Sequence, residues 1–239
     1  MTRNLLLLPL AATAVLGQNL TCTASAPTPP ILRVEGISER VADVLLDCNS
    51  QLPAGTLADL SIFVGGTIVT NPLLTGNYTN ALLLLDAPPT ASQLLGQNVL
   101  QGGLQGSNSL KWRNLPVDGH RIFRITNVRV NAALSGIGST VQAFTSIAAP
   151  DAAQPLYTAP ALAVATVEQG MQMTLSGVTA FSQCTAGTRK VQARFAEQFA
   201  GSFKNATQET GFYNANLGIP PATSGTRVEL VLDTMAGGH

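Results

Sequence analysis

Apolar and polar residues alternate in short runs along most of the chain, and Gly, Pro, Asn and Ser separate the runs. A period of two marks half-buried β-strands, because successive side chains of a strand point to opposite faces. Over 41–48, Val44, Leu46 and Cys48 share one parity while Asp43 and Asp47 take the other. Over 20–26, Leu20, Cys22, Ala24 and Ala26 oppose Thr21, Thr23 and Ser25. The same reading predicts strands over 31–35, 59–64, 67–69, 81–85, 99–101, 109–113 and 121–130, with Gly102-Gly103 expected to form a tight reversal. Further strands are predicted over 162–167, 171–176, 190–195 and 227–232.

Two segments depart from this pattern. Within 121–130, Phe123 and Ile125 lie on one parity and Val128 and Val130 on the other. One apolar face survives only if the strand is bulged or kinked at Thr126-Asn127, where Asn tolerates a positive φ. Phe195, Phe199 and Phe203 recur at helical spacing, but Gly201 interrupts them, so a short helix and a compact loop with buried phenylalanines both remain open.

Many short strands without helical crossovers predict an all-β chain, specifically an antiparallel immunoglobulin-like β-sandwich. Residues 148–160 are rich in Ala and Pro, show no alternation, and read as a linker. The expected organisation is a first sandwich over 18–147 and a second over 161–239. Four strands make that second region incomplete, either truncated or completed by another chain. Gly119-His120-Arg121, Gly187-Thr188-Arg189 and Gly225-Thr226-Arg227 each precede a predicted strand, a weak repeat at unequal spacing.

Residues 1–17 read as a signal peptide: Arg3 is followed by an apolar run from Leu5 to Gly17, too short to span a bilayer. Cleavage fits after Gly17 or after Ala14. Export places the protein outside the cell or at its surface, with no membrane span once the leader is removed. It also admits disulfides. Of three cysteines, Cys22 and Cys48 share the inward parity of their strands and are expected to pair, closing a loop of about 26 residues. Cys184 lies in a predicted turn and is left free or paired outside the chain.

Charge narrows the partners. Lys plus Arg equals Asp plus Glu, 13 each, and charged residues are only 11% of the chain. No global field draws nucleic acid or an anionic membrane. The segments around Leu32-Arg33-Val34-Glu35-Gly36, Arg121 to Arg129 and Gln183 to Arg189 resemble a family of secreted bacterial β-sandwich proteins to which no activity is assigned. The resemblance implies export and a bacterial source, and implies that related chains continue past His239; it supplies no functional residue.

Candidate chemistry is sparse. Two histidines, His120 and His239, cannot build a metal site or, with the turn-flanked His120 alone, a convincing serine triad. No cofactor motif and no alternating acidic calcium loop occurs. Asp43 and Asp47 share a strand face about 13 Å apart, farther than the carboxylate pair of a glycosidase. What remains is a set of binding candidates. Arg121, Arg124 and Arg129 could grip acidic groups. Trp112, the only tryptophan, could form a sugar platform, although the parity of Leu110 and Asn114 favours core packing. The leading expectation is a non-catalytic structural or adhesive protein of the cell surface or extracellular matrix, its partners other copies of itself or surface and matrix components. A carbohydrate- or ligand-binding module is the alternative, and a carboxylate-dependent hydrolase the third reading.

Overall fold

A computed structural model describes residues 20–150, 152–177, 191–212 and 214–229. The expected signal peptide and Cys184 lie outside these residues. In chain order the strands are β1 (Leu20–Ser25), β2 (Ile31–Arg33), β3 (Glu39–Arg40), β4 (Val44–Ser50), β5 (Leu57–Gly65), β6 (Tyr78–Leu85), β7 (Val99–Leu104) and β8 (Ser109–Pro116). They continue as β9 (Gly119–Thr126), β10 (Arg129–Val130), β11 (Thr140–Ala148), β12 (Pro155–Thr158), β13 (Leu162–Glu168), β14 (Met171–Gly177) and β15 (Val191–Glu197). The fold is all-β.

Eleven strands form one sheet in the order β1-β4-β9-β6-β7-β8-β5-β11-β13-β2, with β12 also paired to β11. All these pairings are antiparallel except β13 with β2. The sheet curls, so that β1 at one edge lies against β12 from the far half. Curling encloses an apolar cluster that includes Leu46 of β4, Phe123 of β9, Ile62 of β5, Trp112 of β8 and Ala143 of β11. The inward parity read from sequence for 41–48 holds: Val44, Leu46 and Cys48 are buried and Leu45 and Asp47 exposed.

Cys22 faces Cys48 across the β1–β4 pair, and the two form a disulfide with Cα atoms 4.0 Å apart. The bridge therefore joins neighbouring strands of one sheet. The kink also falls where parity placed it. β9 ends at Thr126, Asn127 adopts φ 59°, and the chain resumes as β10, which leaves β9's neighbours to pair with β3.

Several expectations are corrected. Gly102 and Gly103 lie inside β7 and do not reverse the chain. Gly102 is needed there because a Cβ would stand 2.8 Å from Trp112 Cζ2. Only Val69 of 67–69 pairs, as an isolated bridge to Val130. The supposed linker 148–160 contains β12, and β13 beyond it belongs to the main sheet, so the sheet runs across the expected domain boundary. The strand β11 leaves little trace in the sequence because its inward residues, Val141, Ala143, Thr145 and Ile147, are mostly small, while the conspicuous Phe144 points outward. Residues 227–229 form no strand, and 230–232 lie outside the described residues.

Beyond β13 the chain makes a separate ribbon, β14 with β15. The phenylalanine spacing does not build a helix: Phe195 belongs to β15, and Gly201 turns the chain at φ 81°. A one-turn helix, α1 (Ala206–Glu209), follows instead. It starts at a capping box in which the Asn205 side chain accepts from the Gln208 N–H and the Gln208 side chain accepts from the Asn205 N–H, each at 2.9 Å.

Candidate functional site

The three arginines proposed as an anion grip come from one stretch of chain but not to one place. Arg121 sits between Asp86 and Asp118, donating to each at 3.0 Å. Asp118 also accepts the Gly55 N–H at 2.8 Å. That backbone donor first, and Arg121 next, hold its carboxyl below the usual value, while the bond to Asp118 raises the Arg121 guanidinium. Arg124 donates to Asp43 from Nε at 2.8 Å and from Nη2 at 2.5 Å, and Thr126 donates to the other Asp43 oxygen at 2.7 Å. Past the Asn127 kink, Arg129 turns to another part of the molecule. It donates to the Ser38 carbonyl at 3.0 Å and the Glu209 carbonyl at 2.7 Å, and burial pushes its pKa down.

The neighbouring groups are equally committed. His120 Nε2 is 2.8 Å from Asp47 Oδ1, so Asp43 and Asp47 serve different partners. Among the described residues no three His, Cys, Asp or Glu side chains gather into a metal site, and no helix is long and apolar enough to cross a membrane.

Trp112 is buried, and its Nε1–H donates to the Leu100 carbonyl at 3.1 Å. The indole is a core residue, as its parity indicated, with an edge forming the floor of an open cleft of about 640 Å³. The cleft arises from topology. β7 and β8 are hydrogen-bonded neighbours only at Gly103–Lys111 and Leu104–Leu110. Below that point β7 continues along β6 while β8 continues along β5, and the two strands part. Tyr78, Asn77 and Gln101 line the β6–β7 side; Lys111, Arg113 and Asn114 line the β8 side. Lys111 Nζ and Arg113 Nη1 approach the same nearly buried carboxylate, Asp59, at 3.7 and 3.9 Å.

Two further features had no signal in the sequence. The first is a partly buried ionic network under α1. Arg33 donates from Nε to Glu39 at 2.7 Å and from Nη2 to Glu209 at 2.9 Å, and Lys204 Nζ donates to the other Glu39 oxygen at 2.7 Å. Arg33 also binds the Thr226 hydroxyl, and Glu39 is 1% exposed. The members are spread from residue 33 to residue 226, so no local pattern could announce them. The second is an aromatic pair on the outer face of the sheet. Phe63 of β5 and Phe144 of β11 are directly opposed, their ring centroids 6.2 Å apart and their planes tilted by 60°. They are 44% and 40% exposed.

No protein-family model and no curated protein matches the chain. Among solved structures it is similar to a DUF4466 family protein from Parabacteroides merdae ATCC 43184, with 11% sequence identity and a TM-score of 0.39 over 66% of this chain and 48% of that one. The match spans about half the length of that protein.

Proposed function

We propose that the protein is an exported, disulfide-stapled β-sandwich that makes structural or adhesive contacts at the cell surface or in the extracellular matrix. The observation that carries this reading is the Phe63–Phe144 pair. Its two aromatic rings, 44% and 40% exposed side by side on an open sheet face, offer a partner about 0.6–1.3 kcal/mol for each ring covered, two-fifths of the about 1.5–3 kcal/mol of full burial. The Cys22–Cys48 bridge supports an oxidising compartment, in keeping with the leader-like first seventeen residues.

The strand order supports an immunoglobulin-like arrangement for the curled sheet. β1-β4-β9-β6 run in the order of one immunoglobulin layer and β5-β11-β13 in that of the other. The β7–β8 excursion between β6 and β9 is the departure from that plan. Fractionation of the source cells tests the assignment. The protein is expected in the medium or the envelope, cleaved by protease added to intact cells, and carrying the oxidised Cys22–Cys48 bridge. A cytoplasmic protein with both thiols reduced would overturn it.

A further inference from the structure

We infer that the cleft where β7 and β8 part is a saccharide site, selective for acidic oligosaccharides whose sugar rings carry carboxylates. The inference does not depend on the adhesive reading, although Lys111, opposite Ser61, shares the outward side of the β5–β8 pair with Phe63.

Shape comes first. A cleft of about 640 Å³ lies within the range of small-ligand sites, and its floor is the edge of an indole held in place by packing on Gly102 and by the Leu100 carbonyl. Tyr78 stands at the rim, 54% exposed, an aromatic ring of the kind that covers the apolar C–H face of a sugar. The polar groups are those a polyhydroxylated ligand needs. Among the described residues, the side-chain amides of Asn77, Gln101 and Asn114 make no hydrogen bond within the protein, so each keeps a donor pair and an acceptor for hydroxyl groups.

Charge selects the acidic subclass. Arg121 and Arg124 elsewhere on the sheet are matched to carboxylates at hydrogen-bond length. Lys111 and Arg113 instead share the single Asp59 carboxylate at 3.7 and 3.9 Å, and Asp59 also accepts the Asn114 N–H at 3.1 Å. Two cations against one acid leave about one positive charge over, on donors not tied by any contact of hydrogen-bond length among the described residues. A ring carboxylate placed beside Tyr78 meets that surplus through charge-assisted hydrogen bonds.

Trp112 is the only tryptophan, so its emission reports on the cleft floor without labelling. The purified protein is titrated with galacturonate, mannuronate and glucuronate trisaccharides, each beside its methyl ester, and followed by tryptophan fluorescence and calorimetry. At least one acid form is expected to bind with a change in emission. Its methyl ester, Tyr78→Ala and Arg113→Gln are each expected to weaken binding at least tenfold, and raised salt to weaken it further. Both variants change exposed side chains, and thermal melts coincident with wild type confirm their folding. Absence of binding by all three acids overturns the site. Equal affinity for acid and ester, or binding indifferent to both substitutions, overturns the assignment as well.

Discussion

Trp112 and Gly102 are one device: the indole lies where a side chain at position 102 would stand, and its nitrogen closes on the Leu100 carbonyl. Gly102→Ala forces that ring or the β7 backbone to move, and is expected to cost about 1–3 kcal/mol in urea denaturation. Asn127 is a second. Its φ of 59° is the left-handed conformation that releases β10 from β9, while its side-chain N–H₂ donates to the Asn80 carbonyl at 2.8 Å. Asn127→Val places a β-branched residue in that region and should cost about 1–3 kcal/mol by the same measurement. Asp118 contributes through its protonation. Its folded carboxyl lies below the unfolded value, so the stability it adds is complete above about pH 3.9 and is lost as pH falls through the lower folded value. Melting temperatures taken from pH 5 down to pH 2 should therefore fall less steeply for Asp118→Asn than for wild type. At this scale the sequence was legible where parity conflicts. The clash between Ile125 and Val128 located Asn127, whereas Gly102-Gly103 looked like a turn because a glycine placed for an indole and a glycine placed for a reversal are the same letter.

Strand β1 is an edge strand, paired with β4 alone in the main sheet, and the Cys22–Cys48 bridge fastens it. The 26-residue separation gives about 3.5 kcal/mol in the chain-entropy model. Cys22→Ser with Cys48→Ser is expected to lower stability by up to that amount in denaturant titration, with β1 amides losing hydrogen-exchange protection before those of β4. The bridge could be foreseen because both cysteines continue an inward alternation of apolar neighbours. β11 could not, because Ala143 and Thr145 carry little apolar signal although they occupy core positions. Ala and Pro in 148–160 disguised β12 for a related reason: Pro155 opens a short strand off the sheet's main path, where the lost backbone donor matters least. The arginine run was misleading for a related reason. Spacing put Arg121, Arg124 and Arg129 in one run, yet alternation and the kink send them to Asp118, Asp43 and Glu209.

Across the whole molecule, the segment after β15 is tied to the sheet by the Arg33–Glu39–Lys204–Glu209 network. Glu39→Gln removes the central charge and leaves Lys204 facing a buried amide while Arg33 keeps Glu209, a change expected to cost about 1.5–3 kcal/mol. Limited proteolysis should then cut within 202–229 while β1 to β13 resist. Such long-range ionic ties are invisible to any window of sequence, as are the divergence of β7 from β8 and the pairing of β5 with β11 that sets Phe63 opposite Phe144. Adhesion through that outer face is the central claim. Co-sedimentation of the purified protein with envelope and matrix fractions of the source cells tests it most directly, comparing wild type with Phe63→Ser/Phe144→Ser. Wild type is expected to pellet with one of these fractions and the double variant to stay in the supernatant with an unchanged melting temperature; equal pelleting of the two, or a wild type that never pellets, would contradict the account.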